Sequence, residues 1–297
     1  MYTIASALQT GELRLKLSGL DPSPRLNAEL MLQAATGLDR TSLLFRHNEA
    51  LSLSDYERYD DFLTRRQDGE PVQYIVGSAP FYGYQFLVGK DSFIPRFDSE
   101  SMVEKAIQWL LDRNLASQLP KESPLVRLDV LDLCCGCGAI GLSIAREVSN
   151  IDVTLVDSEA TPLKYAALNA QALQISDRVF LARADALGPF PLSWSKRFDL
   201  IVANPPYIPL SDIASLPGDV RDREPHNALT DGGDGLSFYR SWTETVPGIM
   251  KRDGVFLTEI GDGACNAVVD ILSDHFCITK IVKDISGIDR AIEAVVR

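Results

Sequence analysis

The fold of this chain is decided by residues 130–141, which read Val-Leu-Asp-Leu-Cys-Cys-Gly-Cys-Gly-Ala-Ile-Gly. The run begins almost continuously apolar, which is typical of a strand buried on both faces of a parallel sheet. Gly136 and Gly138 then allow a tight turn and a close ligand approach to the main chain. Helical periodicity follows over residues 139–146, and a helix amino terminus offers N–H groups without intrahelical partners. The stretch predicts a strand, a ligand-binding turn and a helix.

A carboxylate closes the next apolar run, which covers residues 151–157 and ends at Asp157. An acid in this place can accept hydrogen bonds from both hydroxyls of a ribose. The glycine spacing then separates the candidate ligands. A dinucleotide site needs G-x-G-x-x-G, whereas Asp132 to Gly138 reads D-x-x-x-G-x-G, which makes NAD the poorer ligand.

A third motif, Asn204-Pro205-Pro206-Tyr207, follows the apolar run at residues 198–203. We call it the amide-holding loop. The side-chain oxygen of Asn204 and the carbonyl of Pro205 can accept the two hydrogens of an NH2 group, while Tyr207 lies against its plane. Proline stiffens the loop because its ring fixes φ. The glycine turn at 136–138 is followed by Asp157 at the end of the second strand, Asp185 after the third strand and the amide-holding loop after the fourth. This order of motifs is typical of an S-adenosylmethionine site.

The chain resembles, over nearly its whole length, the HemK/PrmC family, which comprises the glutamine-N5 methyltransferases of class I peptide chain release factors. Upstream of the amide-holding loop the resemblance is carried by residues 71–77, 81–83 and 93–100. Downstream it is carried by residues 221–229, 234–236, 239–240, 259–261 and 286–290. The loop alone is shared with adenine methyltransferases, so these other segments are the more specific signal.

The resemblance implies an α/β fold: a Rossmann-like class I S-adenosylmethionine-dependent methyltransferase domain with a small N-terminal helical domain and a linking β-hairpin. The expected boundaries are residues 1–80 for the helical, substrate-recognising domain, 81–95 for the hairpin and 96–297 for the methyltransferase domain. The expected catalytic residues are Asn204, Pro205, Pro206 and Tyr207. The expected cofactor-binding residues are Cys134, Cys135, Gly136, Cys137, Gly138, Asp157, Asp185, Ala186, Asn204, Phe93 and Arg96. Among these, Asp157 would hold the ribose, Gly136 and Gly138 would face the methionine part, and Phe93 with Arg96 would either line the pocket or pack between domains.

Two positions depart from the family pattern. Cys134 stands where the family has the first glycine of G-x-G-x-G, which is tolerable if this residue needs no positive φ. Ala186 stands where many relatives have an aromatic residue, so a stacking face for adenine is lost unless Phe190 replaces it. The departure at Ala186 leaves two alternatives: a lower cofactor affinity, or Phe190 in place of the missing ring.

Composition and charge narrow the partners. With 297 residues, the chain can bury a large core. The net charge of −12 disfavours nucleic-acid binding, because such binding neutralises phosphates with Lys and Arg. The isolated basic pairs Arg65-Arg66 and Lys251-Arg252 are expected to be solvated helix ends or faces. No apolar run reaches the roughly 18 residues of a membrane span, and Met1 to Thr10 lack the basic region followed by an apolar one that marks a signal peptide, which predicts a cytoplasmic protein. Five cysteines suit reduced thiols, and their spacing fits no standard zinc site.

Secondary structure is expected as helices over the first eighty or so residues, then alternating helices and strands. Ser23 and Pro24 predict a helix start and Gly37 its end, while Ser54 with Glu57 predicts a capping box. A hairpin is expected between Phe81 and Phe93. Strands are expected at 127–133, 151–157, 178–182, 198–203, 254–260, 276–283 and 290–296.

Three other functions remain open at this stage. Glutamine methylation of a ribosomal protein would use the same loop, although residues 94–100 favour the release-factor branch. N6-adenine methylation of DNA or RNA would let Tyr207 stack on a flipped base, but the acidic charge opposes it. A non-catalytic S-adenosylmethionine-binding module would be expected to have lost part of the amide-holding loop, and all four residues are present.

Overall fold

The computed structural model describes residues 2–19, 21–116 and 127–297. The chain divides into two compact units. The helical unit contains Met1–Ser78 and Leu216–Arg223, and the sheet unit contains Ala79–Ser215 and Glu224–Arg297. Within the described ranges, no helix is both long and apolar enough to cross a membrane.

The helices and strands of the described residues are numbered in chain order. The helices are α1 Ile4–Ser18, α2 Pro24–Thr36, α3 Arg40–Phe45, α4 Leu53–Gln67, α5 Val72–Val76, α6 Glu100–Ala116, α7 Ala139–Glu147, α8 Ala160–Ala172, α9 Gly218–Arg221, α10 Ser237–Ile249 and α11 Cys265–Leu272. The strands are β1 Ser78–Phe81, β2 Tyr84–Leu87, β3 Leu128–Leu133, β4 Ile151–Asp157, β5 Val179–Arg183, β6 Phe198–Ala203, β7 Met250–Glu259, β8 Phe276–Lys283 and β9 Asp289–Val296. The seven predicted strands are confirmed, with one extended: β7 starts four residues earlier than expected.

The helical unit packs α1, α2 and α4 around fully buried apolar side chains such as Met31, Leu32 and Leu63. α1 and α4 approach closely at Gly11, where a Cβ atom would lie 1.9 Å from the hydroxyl oxygen of Tyr59. Only glycine leaves room for that ring, so one residue fixes the spacing of two helices.

The N-terminal caps of α2 and α4 differ from the two caps predicted from the sequence. α2 begins at Pro24 and ends before Gly37 as expected, but the Ser23 side chain makes no capping hydrogen bond. α4 begins one residue before Ser54, and its cap is Ser52, whose hydroxyl accepts from the backbone N–H of Asp55. Two serines two residues apart both satisfy the sequence pattern, and the backbone geometry selects the first.

Arg66 contradicts the expectation of a solvated basic pair. Its side chain is only 3% exposed and forms ion pairs with Asp21 at 2.9 Å and Asp219 at 3.2 Å. Asp219 lies in Leu216–Arg223, a segment that follows the amide-holding loop in sequence and returns to the helical unit. The buried Arg66 therefore links the segment Leu216–Arg223 to α4. No local sequence pattern predicts this contact.

The β-hairpin lies slightly earlier than expected, with β1 and β2 joined at Tyr82 and Gly83, which both have positive φ. It is attached to the sheet unit through Asn169 of α8. The Asn169 side chain accepts from the N–H of Leu87 at 2.7 Å and donates to the carbonyls of Leu87 and Cys137 at 3.1 and 2.9 Å. One buried amide therefore joins β2 to the turn after β3.

Seven of the described strands form one sheet in the order β5-β4-β3-β6-β7-β9-β8. β9 runs antiparallel to both of its neighbours, while the pairs from β5 to β7 are parallel. The chain order turns back between β3 and β6, and ligands of such sheets bind outside the carboxyl ends of the strands at this switch point. This arrangement confirms the predicted α/β fold, with an antiparallel strand that apolar runs alone do not reveal.

Candidate active site

Strand register brings the three motifs to one edge of the sheet. Leu133, the last residue of β3, lies opposite Val156 of β4 and Ala203 of β6. The residues that follow Leu133, Val156 and Ala203 are Cys134, Asp157 and Asn204, respectively. The turn after β3, the acid of β4 and the amide-holding loop after β6 are therefore neighbours on either side of the switch point.

The turn after β3, residues 134–138, is held open by backbone contacts. The N–H of Cys135 donates to the carbonyl of Val156 at 2.9 Å. Gly136 has a φ of +56°, and a Cβ atom built there would meet no protein atom within 4 Å. Its N–H donates to Asp157 Oδ2 at 3.0 Å. The main chain at Gly136 can thus be approached closely, as the methionine part of S-adenosylmethionine would require.

Asp157 keeps enough acceptor capacity for a ribose. Its Oδ1 accepts from the N–H of Glu159 at 3.0 Å and its Oδ2 accepts from Gly136. A carboxylate offers about four acceptor sites, so these backbone donors leave acceptor capacity for a ribose hydroxyl. Burial raises the pKa of Asp157, although the backbone N–H groups of Glu159, Gly136 and Ser158 oppose that effect. That Asp157 holds the ribose stays a prediction.

Asp132 braces the helix start behind this turn. Its carboxyl is fully buried, and Oδ2 accepts from the N–H of Gly141 at 2.8 Å. Burial raises its pKa to about 7. Burial also raises the pKa of the thiols of Cys135 and Cys137, the latter to about 12. Among the described residues, no group of His, Cys, Asp or Glu side chains is placed to hold a metal ion.

The amide-holding loop is anchored by two side chains that sequence reasoning missed. Pro205 and Pro206 are buried. The Nδ2 of Asn204 donates to Ser99 Oγ at 3.4 Å, and the hydroxyl of Tyr207 donates to Glu259 Oε1 at 3.2 Å. Burial raises the pKa of Tyr207, and Arg96 and Arg290 are close enough to oppose that rise electrostatically. Tyr207 is therefore a neutral, fixed ring.

Two glycines of the downstream family segments pack against the same loop. A Cβ atom at Gly235 would lie 2.1 Å from the carbonyl oxygen of Tyr207, and one at Gly261 would lie 3.1 Å from its ring carbon Cδ2. Both residues must remain small for Tyr207 to hold its position. This contact explains why Asp234-Gly235-Leu236 and Glu259-Ile260-Gly261 accompany the loop in sequence.

Gly235→Ala is expected to lower turnover about tenfold, because a loop displaced by a clash misplaces the acceptor. It should also destabilise the fold by about 1–3 kcal/mol through overpacking. The matched control is Gly232→Ala, since Gly232 has a similar φ of +77° against +79° but nothing within 4 Å of its Cβ position. Urea unfolding measures the loss of stability in each variant, and single-turnover rates measure the loss of methyl transfer. Equal effects in both variants would attribute the loss to backbone strain alone.

Phe93 and Arg96 are held together by Glu224. The guanidinium of Arg96 lies over the ring of Phe93, 4.9 Å from its centroid, and forms an ion pair with Glu224 Oε1. Glu224 Oε2 also accepts from the N–H of Ile94 at 3.2 Å. The carboxyl of Glu224 is buried, and all four residues belong to the sheet unit. A role of Phe93 and Arg96 in binding the cofactor stays a prediction.

Asp185 and Ala186 differ in what they offer. Asp185 is exposed, and its Oδ1 accepts from the N–H of Leu187. The methyl group of Ala186 is buried in the core, and its carbonyl accepts from the indole N–H of Trp242 at 2.8 Å. A contact with the cofactor at Ala186 would therefore be made by the backbone. Phe190, the expected replacement for the missing aromatic, stacks on Trp194 with centroids 5.9 Å apart.

Comparison with known proteins identifies the family. Family models described as PrmC N-terminal domain and Methyltransferase small domain match residues 6–77 and 110–215. The release factor glutamine methyltransferase of Bacillus subtilis (strain 168) is 36% identical over 298 residues, covering 100% of this chain and 99% of that protein. The enzyme of the same description from Chlorobaculum tepidum is 36% identical over 271 residues, covering 91% and 89%. The chain belongs to the release factor glutamine methyltransferase family.

Membership of this family confirms the resemblance inferred from the motifs. Among solved structures, a release factor-specific protein-(glutamine-N5) methyltransferase from Alicyclobacillus acidocaldarius is 28% identical. The superposed region covers 71% of this chain and 99% of that chain, with a TM-score of 0.40.

Cys134, which departs from the family pattern, has a backbone conformation that is unfavourable for a residue with a side chain. The expectation that its Cβ is tolerated required a negative φ, but Cys134 has a φ of +59°. A side chain in this left-handed region costs about 1 kcal/mol or more. The thiol packs at the edge of the main core, which offsets part of that cost.

Cys134→Gly is expected to be more stable than Cys134→Ala by about 1 kcal/mol. Both variants lose the packing of the sulfur atom, but only glycine also removes the Cβ atom at positive φ. The free energy of unfolding in urea measures the difference. If the alanine variant is as stable as the glycine variant, the backbone at Cys134 is not strained in solution.

Proposed function

We propose that this chain transfers a methyl group from S-adenosylmethionine to the side-chain amide nitrogen, N5, of a glutamine in class I peptide chain release factors. One observation carries the proposal: the amide-holding loop lies next to the glycine turn and Asp157 at the switch point of the sheet. Full-length relatives in the same family support the substrate class.

The chain's own residues would solve the main chemical difficulty, which is that an amide nitrogen is a poor nucleophile. Its lone pair is delocalised into the carbonyl group. Asn204 Oδ1 and the carbonyl of Pro205 would accept its two hydrogens, and Tyr207 would fix the amide plane. Orientation of this kind can supply a large part of a rate enhancement.

When bound, S-adenosylmethionine supplies an electrophilic methyl carbon, whose bond to sulfur breaks with both electrons left on sulfur. The amide nitrogen gains that carbon and loses one proton, and the products are N5-methylglutamine and S-adenosylhomocysteine. Asp157 would hold the ribose, and the backbone at Gly136 and Gly138 would lie against the methionine part. No side chain needs to remove the proton beforehand, because it becomes acidic as the N–C bond forms.

Recognition of the whole release factor would involve the helical unit. This unit carries exposed apolar side chains, with Leu17 78%, Phe45 84% and Leu53 74% accessible. We also propose that the protein acts in the cytoplasm and does not bind nucleic acid directly. The net charge of −12 supports the second point.

Incubation of the chain with labelled S-adenosylmethionine tests the proposal when three acceptors are compared: a class I release factor, ribosomal proteins, and DNA or RNA. Mass spectrometry then identifies the methylated residue. We expect one methylated glutamine in the release factor. Methylated adenine with no label in the release factor would favour the nucleic-acid alternative, and label confined to a ribosomal protein would favour the sister activity.

A further inference from the structure

Asn169 of α8 is a buried amide with backbone partners on two different segments. The residue is only 1% exposed. Its Oδ1 accepts from the N–H of Leu87 at 2.7 Å, while its Nδ2 donates to the carbonyls of Leu87 and Cys137 at 3.1 and 2.9 Å. The oxygen and both hydrogens of the amide group are therefore used. An inverted amide would place donor against donor at Leu87, so these partners also fix its orientation.

The carbonyl of Cys137 belongs to a peptide group that glycine alone leaves easy to rotate. Gly138 has a φ of +83°, and glycine adopts positive and negative φ about equally readily. In a planar trans peptide, the carbonyl of Cys137 and the N–H of Gly138 point in opposite directions. Asn169 holds that carbonyl, and the N–H donates to the carbonyl of Cys135 at 2.8 Å. Both ends of the peptide are thus anchored, one of them from α8.

The same face of α8 supports both the turn after β3 and the chain that leaves the hairpin. Tyr165, Ala166 and Asn169 lie on this face, because residues three or four apart on a helix are neighbours. A Cβ atom at Gly89 would lie 2.1 Å from the hydroxyl oxygen of Tyr165. One at Gly138 would lie 3.2 Å from the Cβ of Ala166. Both segments approach the helix closely at a glycine, and Asn169 joins them by hydrogen bonds.

We propose that Asn169 is a positioning residue for cofactor binding, which fixes the peptide between Cys137 and Gly138 and couples the turn after β3 to the hairpin. The inference rests on the part of the proposed function that places the methionine part of S-adenosylmethionine against this turn. A peptide without its anchor would have to be ordered by the cofactor on binding, and that cost lowers affinity. Coupling is reciprocal, so a bound cofactor in turn stabilises the hydrogen bonds between Asn169 and Leu87.

Asn169→Leu tests the role, because leucine has nearly the same size and branching but makes no side-chain hydrogen bond. The matched control is Arg178→Met. Arg178 is also buried, and its Nη1 donates to the carbonyls of Val148 and Ser149 at 2.8 and 3.2 Å, before β4 and at the opposite edge of the sheet. We expect Asn169→Leu to weaken binding of S-adenosylhomocysteine about tenfold in calorimetry, equivalent to about one hydrogen bond, and Arg178→Met to change it less than about twofold.

The rate at saturating cofactor distinguishes positioning from a merely structural role. The three hydrogen bonds of Asn169 go to the hairpin and to the turn after β3, not to the amide-holding loop. Single-turnover transfer by Asn169→Leu at saturating S-adenosylmethionine should therefore stay within about twofold of the wild type. A loss of stability alone would lower the fraction of folded protein and leave the affinity of each folded molecule unchanged.

Amide hydrogen exchange in the wild type tests the coupling without any substitution. S-adenosylhomocysteine should slow exchange of the Leu87 N–H about tenfold more than that of the Tyr82 N–H, since the two effects of one coupling are equal. Tyr82 is the matched control because it lies in the same hairpin but donates to Glu100 Oε1, at 2.7 Å. The difference between the two amides should vanish in Asn169→Leu and remain in Arg178→Met.

The outcomes separate this inference from the proposed function. A wild-type chain that binds no S-adenosylhomocysteine, or that methylates no glutamine, overturns the proposed function. A wild type that does both, with Asn169→Leu binding as tightly as Arg178→Met or with Leu87 and Tyr82 slowed equally by the ligand, overturns the positioning role alone. If Asn169→Leu does not fold, the exchange of the wild type decides.

Discussion

Asn204→Ala is expected to lower the rate of methyl transfer by about 10²-fold or more, as does the loss of one preorganised polar contact at a reacting group. Affinity for S-adenosylmethionine should fall much less than the rate, because the proposed role of the lost oxygen is to hold the acceptor amide, and a cofactor contact of Asn204 would add only a modest loss. Single-turnover rates at saturating cofactor, with calorimetry for the affinity, measure the two effects separately.

The control for this variant is Asn150→Ala. Asn150 immediately precedes β4 and therefore lies at the opposite edge of the sheet from the amide-holding loop. Its replacement reports what the loss of one asparagine does to this fold. If Asn204→Ala keeps more than about half of the wild-type turnover, the proposed role of the loop is wrong.

Asp157→Ala is expected to weaken binding of S-adenosylmethionine and S-adenosylhomocysteine by about 10²-fold, since two hydrogen bonds to a charged group of about 1.5 kcal/mol each are lost. The variant also removes the acceptor of the Gly136 and Glu159 N–H groups, which loosens the turn. Isothermal titration calorimetry measures the change. NAD should give no binding heat with either protein.

Asp157→Asn separates the two causes of that loss. An asparagine keeps the size of the side chain and one acceptor oxygen, so the turn keeps part of its support while charge-assisted bonds to the ribose are lost. We expect its affinity to lie between those of the wild type and Asp157→Ala. Wild-type affinity in both variants would remove Asp157 from the cofactor site.

The buried strands could be predicted from sequence because their signal is local. Strands between two helical layers are continuously apolar, and β4 and β6 occupy the residues expected. The first residues of β7, Met250-Lys251-Arg252-Asp253, are mostly charged, so no apolar run reveals them. The antiparallel direction of β9 was equally hidden, because an apolar run carries no information on strand direction.

The residues of the candidate site also fall into those that a local sequence pattern predicts and those that only long-range contacts reveal. The glycine turn and the amide-holding loop each follow a strand, and Asp157 ends one, so a local pattern finds all three. Ser99 and Glu259 act on the loop through contacts between residues 105 and 52 positions apart in the chain. One signal did exist for Glu259: it ends the strand that neighbours β6, where Ala203 pairs with Thr258. The positive φ of Cys134 is a property of the backbone that composition does not encode.

The most direct test of the account replaces the acceptor rather than the enzyme. A release factor carrying glutamate in place of the methylated glutamine has the same shape but no NH2 group for Asn204 and Pro205 to hold. Intact-peptide mass spectrometry after incubation with the wild-type chain and S-adenosylmethionine should show the mass of one added methyl group on the glutamine form and none on the glutamate form. Methylation of the glutamate form at a comparable rate would contradict the claim that this site holds a side-chain amide.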